Sequence, residues 1–107
     1  MLEEPDKIDM AFAMPDGKLM LVITDAGITS DAEQRVGLLI VKLRTYLGYV
    51  LSNEFTAEHP KHKPSDVVIR VMCAQPPSAQ MQGMTRITPA DRKELSIPIE
   101  FQHFPRP

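Results

Sequence analysis

The stretch Ser30-Asp31-Ala32-Glu33-Gln34-Arg35-Val36-Gly37-Leu38-Leu39-Ile40-Val41-Lys42-Leu43-Arg44-Thr45-Tyr46-Leu47-Gly48-Tyr49-Val50 decides the fold class. Its first four residues have the form of a capping box. The Ser30 hydroxyl can accept from the amide three residues on, and Glu33 can reach back to the Ser30 amide. Val36, Ile40, Leu43, Leu47 and Val50 then recur at helical spacing, flanked by Leu39 and Tyr46, so one wide apolar stripe should face a core. The spacing predicts a helix near residues 31–52, with Asn53 as its stop. A helix that long in a chain of 107 residues is the expected folding centre.

Two features of this helix point beyond its own core. Gly37, Val41, Arg44 and Gly48 fall along one line, where small residues permit close backbone approach, although each glycine costs about 1 kcal/mol relative to alanine in a helix interior. On the other side Leu38 and Tyr49 lie near Lys42 and Thr45, where a purely solvated face would be polar. Leu38 and Tyr49 are either scattered exposed apolar residues, normal on any surface, or a surface for a dimer or protein partner.

Upstream, Ile8, Met10, Phe12 and Met14 alternate with Asp9, Ala11 and Ala13, the period of a half-buried strand. Pro15-Asp16-Gly17 reads as a turn, and Lys18 to Asp25 as the returning strand. Leu19-Met20-Leu21-Val22-Ile23 is apolar on both faces, so it should be central and covered on two sides. The helix supplies one cover; the C-terminal segments or another subunit must supply the other.

Downstream, Glu54 to Ser65 is polar and bounded by proline, which predicts a loop. Asp66 to Ala74 is a third strand, with Val67, Ile69, Val71 and Cys73 on one face. Gln80 to Gly83 reads as connector, and Met84 to Ile87 as a short strand. Thr88-Pro89-Ala90-Asp91 offers a cap followed by proline, so a helical turn reaching Leu95 competes with a hairpin over 84–101. Ser96 to Phe101 is the last strand, placed at an edge or a bulge because Pro98 cannot donate to a ladder. The tail Phe104-Pro105-Arg106-Pro107 should be loosely held. Together these elements predict one α+β domain over 1–107. It has two layers, an antiparallel-rich sheet of four to five strands on one long helix: a hairpin, the helix, then further strands. A ββαβ unit over 6–72 is followed by a C-terminal extension, 75–107, with its edge strand.

Composition narrows the function classes. The hydrophobic share of 43% and charged share of 24% are those of a globular domain. No stretch approaches the roughly 18 apolar residues of a membrane span, and the acidic start Leu2-Glu3-Glu4-Pro5-Asp6 is unlike a secretory signal. A lone Cys73 forms no internal disulfide, so a reducing, cytoplasmic setting is expected. Residues 1–34 carry eight acids against Lys7 and Lys18, and the remainder ten bases against six acids. That asymmetry can orient subunits, but it is unlike a dedicated nucleic-acid binder.

Asp6-Lys7-Ile8-Asp9, Leu21-Val22-Ile23-Thr24-Asp25, Leu39-Ile40-Val41-Lys42-Leu43-Arg44-Thr45-Tyr46-Leu47-Gly48-Tyr49-Val50 and Val68-Ile69-Arg70-Val71 resemble, in this order, a family of small bacterial proteins of unknown function. Its members carry a K-I-D start, an L-T-I-S-D strand, a K-L-N-x-Y-L helix and an I-E-S-G-E helix exit. The likeness covers roughly residues 6–72, with the helix as its most specific part. It departs at Ala26-Gly27-Ile28, where members carry a tryptophan, and at Ser52-Asn53-Glu54, where they have a glycine-containing exit. Residues 75–107 have no clear counterpart. The resemblance implies a small soluble α+β domain and supplies no catalytic residue.

The chemistry-bearing residues are few. Cys73 on an apolar strand face reads as a small buried hydrophobe rather than a nucleophile. His59 and His62, with Glu58, Asp66 or His103, have ligand types suited to a metal, but H-x-x-H in a loop lacks an aligning helix and a defined third ligand. Asp9 and Asp25 could meet across the first hairpin as a split-pKa pair, or simply end their strands in water. Met10, Met14, Met20 and Met72 suit irregular core gaps, while Met81 and Met84 beside Gln80 and Gln82 suit an adaptable contact surface. No cofactor motif or catalytic signature is present. The expectation is a noncatalytic interaction or accessory protein that self-associates as a homodimer or binds a protein partner. The alternatives are a ligand-binding or hydrolytic domain with a pocket near Asp9 and Asp25, and a weak nucleic-acid binder.

Overall fold

The computed structural model describes residues 1–104. Five strands and three helices follow one another as β1 (Met10–Ala13), β2 (Leu19–Asp25), α1 (Ala32–Val50), α2 (Asn53–Glu58), β3 (Val67–Cys73), α3 (Ala79–Gln82), β4 (Arg86–Ile87) and β5 (Ile97–His103). The fold is α+β, with one long helix packed on an open five-stranded sheet of order β1-β2-β3-β5-β4. β1 and β4 join antiparallel to β2 and β5, whereas β2, β3 and β5 run parallel to one another.

Asp31, not Ser30, caps α1: its carboxylate accepts from the Gln34 amide at 2.9 Å. The helix also ends earlier than its periodicity suggested, because Ser52 starts α2 by accepting from the Phe55 amide. α2 occupies what reads as loop, and its anchor is Phe55, which is buried in the core. The apolar stripe of α1 is rotated from the expected one. Arg35, Val36, Leu39, Lys42, Leu43, Tyr46 and Val50 are buried, while Ile40 is exposed and Leu47 half-buried. Lys42, assigned by spacing to the far side, therefore faces inward. The line of small residues makes no close approach: a Cβ added at Gly37 or Gly48 meets nothing within 4 Å.

One core lies between α1 and one face of the sheet. Leu19, Leu21 and Ile23 of β2, the alternating Val67, Ile69, Val71 and Cys73 of β3, and Ile97 and Ile99 of β5 all join it. So do Phe55, Met81 and Leu95, so the C-terminal segments thicken the helix side of the sheet. Full burial of each such aliphatic side chain contributes about 1.5–3 kcal/mol.

The second face bears no helix among the described residues. Met20 and Val22 point there, and they are buried by their sheet neighbours rather than by a second layer. Register places Val22 between Met10 and Arg70, and Met20 between Phe12 and Val68. β1, expected to be half-buried, is exposed along its whole length, with Met10 at 46% and Phe12 at 49%. The reason is topological: as an edge strand under an uncovered face, β1 has only β2 to pack against.

Of the two open readings of residues 84–101 the structure has the hairpin: residues 88–95 form turns, and β4 pairs with β5. The place of the last strand differs from expectation. β5 lies inside the sheet, between β3 and β4, and the edge is β4. Pro98 is tolerated because it stands one residue before the ladder to β3, which starts at Ile99. Phe104 is tied by its amide to the Cys73 carbonyl at 2.7 Å, and the rest of the expected loose tail lies outside the described residues.

Candidate functional site

Arg35, Leu39, Lys42 and Tyr46 follow one another at intervals of four, three and four, and so share one side of α1. That side meets the ends of β1 and β2. Arg35 Nε donates to Asp25 Oδ2 at 2.7 Å, and its two terminal nitrogens donate to the carbonyls of Pro76 and Gln75. Two turns along, Lys42 Nζ donates to Asp9 Oδ1 at 2.9 Å and to the carbonyls of Glu4 and Lys7. Tyr46 donates its hydroxyl proton to the Val22 carbonyl and accepts from the Asp9 amide. Burial pushes the Tyr46 phenol up, so it stays protonated.

Asp9 and Asp25 therefore form no carboxylate dyad. Each has its own buried cation, because the helix presents two cations where the strands present two acids. Burial alone would raise the Asp9 carboxyl. Hydrogen bonds from the Met1 amino group, the Thr24 amide and Lys42 outweigh it and hold Asp9 below the usual carboxylate value.

Beside Asp9, between the start of β1, the end of α1 and α2, lies a cleft of about 680 Å³. Asp6, Glu54 and Glu58 stand on its walls with Tyr49 and His59. Tyr49 donates its hydroxyl to Glu58 Oε1 at 2.7 Å, and its ring meets Phe55 edge-on at 5.7 Å. Burial, then the bond to Glu58 and its charge, push the Tyr49 phenol up. Asp25 does not reach this cleft; it borders a separate hollow with Met72, Cys73 and Phe104.

The remaining candidates are placed as follows. Leu38 and Tyr49 are half-buried and pack against the core, Leu38 along α1 and Tyr49 on Phe55. Met81 is fully buried, because Ser78 caps α3 and turns it inward, so the expected contact surface at Met81 gives way to a core position. Met84 is half-buried against the same core. The rings of His59 and His62 are 6.5 Å apart, and among the described residues no group of three His, Cys, Asp or Glu side chains converges on a metal-sized site. Cys73 is buried; burial and the Asp25 charge push its thiol up.

The buried cations are the residues that sequence reasoning missed. Their signal was present in the four-three-four spacing, but a lysine and an arginine on a helix normally mark the wet side. The other omission is the exposed β1 edge, whose alternation imitates a half-buried strand.

Among the described residues no helix is long and apolar enough to cross a membrane. Comparison with curated proteins finds no match, and neither does comparison with solved structures. A family model described as a family of unknown function, DUF6572, matches residues 1–104, including 75–104, for which the resemblance supplied no counterpart. With the match running from the N-terminal segment that clasps Lys42 to the end of β5, the chain belongs to DUF6572, a family of unknown function.

Proposed function

We propose that this protein is a noncatalytic interaction or accessory domain of the bacterial cytoplasm that self-associates through the β1 side of its sheet. The observation that carries this reading is the uncovered second face. Parallel strands are ordinarily covered on both faces, yet Met10 and Phe12 flank that face in the open. Exposed apolar side chains gathered at one side of a sheet mark interaction surfaces. Both acids that could have served acid/base chemistry are instead neutralised by Arg35 and Lys42. Sedimentation analysis at high micromolar concentration tests the reading. A dimer that Phe12→Lys weakens supports it, and a strict monomer overturns it.

The cleft beside Asp9 favours a second reading, a site for a small organic cation. Its walls carry Asp6, Glu54 and Glu58 with Tyr49 and His59, and carboxylates together with aromatic rings attract ammonium groups. Calorimetry with a linear diamine tests it. Saturable binding that Glu54→Gln weakens supports a cation site, and no heat of binding removes it.

A further inference from the structure

The outer edge of β1 has a specific pairing chemistry. The Met14 amide points inward, donating to the Lys18 carbonyl at 2.8 Å. In an antiparallel ladder the backbone groups of successive residues alternate in direction. The amides and carbonyls of Phe12 and Met10 therefore also point toward β2, and those of Ala11 and Ala13 point outward. Among the described residues nothing bonds to Ala11 or Ala13 on that side. Edge strands are usually blunted by charge, proline or a bulge. Met10-Ala11-Phe12-Ala13 contains neither charge nor proline, and all four residues are exposed.

We propose that the occupant of this edge is the β1 strand of a second copy of the chain, paired antiparallel about a two-fold axis through Phe12. This rests on the self-association reading above and names its mode. The set of free groups is self-complementary, as a two-fold interface requires. In this register Ala11 faces Ala13 of the other copy and Ala13 faces Ala11, so four backbone hydrogen bonds close and no outward group is left over. The register also keeps each side chain on its own face. Phe12 meets Phe12 of the other copy at the axis, and Met10 meets Met14, giving aromatic and apolar cross-strand pairs on the uncovered face. The two sheets become one sheet of ten strands, and the uncovered faces become one continuous surface.

Ala13→Pro tests this. The Ala13 amide points outward, so proline removes a donor to the second copy while leaving the ladder to β2 intact. Sedimentation should show dimerisation weakened about 30-fold, the loss of two of the four backbone bonds. Phe12→Cys gives an independent readout: two such residues at a non-hydrogen-bonded position are close enough to form an intermolecular disulfide under mild oxidation. A dimer that Ala13→Pro leaves intact, or one that Phe12→Cys fails to cross-link, overturns edge pairing while self-association stands. Loss of the dimer in Met72→Lys together with an unaffected Ala13→Pro would assign it to face-to-face packing instead. A monomer at every concentration overturns both readings.

Discussion

The Lys42 ammonium lies 2.9 Å from the Asp9 carboxylate with its side chain wholly removed from solvent. It also fixes the carbonyls of Glu4 and Lys7, so together with Thr45, which donates to the Pro5 carbonyl, and Tyr46, which accepts from the Asp9 amide, it ties the segment before β1 to the middle of α1. A buried charge persists only when it is paired and fully hydrogen-bonded. Lys42 meets that condition with three acceptors, and Asp9 meets it with donors from Thr24 and Met1 as well as Lys42.

Lys42→Met should therefore cost about 3–5 kcal/mol of folding stability, because it takes from the buried Asp9 carboxylate one of its two cationic partners and leaves two carbonyls without a donor. Urea unfolding monitored by circular dichroism measures this. A cost below about 1 kcal/mol would show that the segment before β1 does not depend on the clamp.

Acid should release the same clamp. The Asp9 carboxyl is held below its ordinary value in the fold, so its contribution is fully present above the unfolded value near 4. It is lost as pH falls from there through the folded value. Stability should decline below about pH 4, and Asp9→Asn should flatten that decline while lowering stability at pH 7. Parallel acid titrations of the two proteins by near-ultraviolet circular dichroism decide it.

Gly37→Ala should stabilise the protein by about 0.5–1 kcal/mol. The position is in the interior of α1, and the added Cβ meets nothing within 4 Å. A rise of a few degrees in the thermal midpoint is the expected result. Destabilisation would mean that the line of small residues along α1 is packed against something in solution.

Cys73 should react slowly with a thiol reagent in the native protein and rapidly in urea. It is buried, and both burial and the Asp25 charge favour the unreactive thiol over the thiolate. Fast modification of the folded protein would show that β3 opens at its C-terminal end.

Local pattern made much of the architecture legible. The 3.6-residue period of α1 and the strict alternation of Val67, Ile69, Val71 and Cys73 are backbone periodicities written directly into side-chain order. The interior position of Leu19–Ile23 follows from the same logic, since a strand apolar on both faces finds no stable place at a wet edge. The candidate site was less legible. Asp9 and Asp25 were visible as residues, but a pair of acids at strand ends reads alike whether they face each other, water or two buried cations.

The sequence by itself determined that this is an α+β domain with one dominant helix, because propensity, caps and periodicity act within a few residues of one another. Only the tertiary structure decided which way that helix turns, that Arg35 and Lys42 face inward, and that β1 lies at an edge with one face of the sheet uncovered. Those outcomes depend on partners 10 to 41 residues away in the chain. The free energy of a buried ion pair or an unpaired strand edge is set by what the completed fold brings beside it.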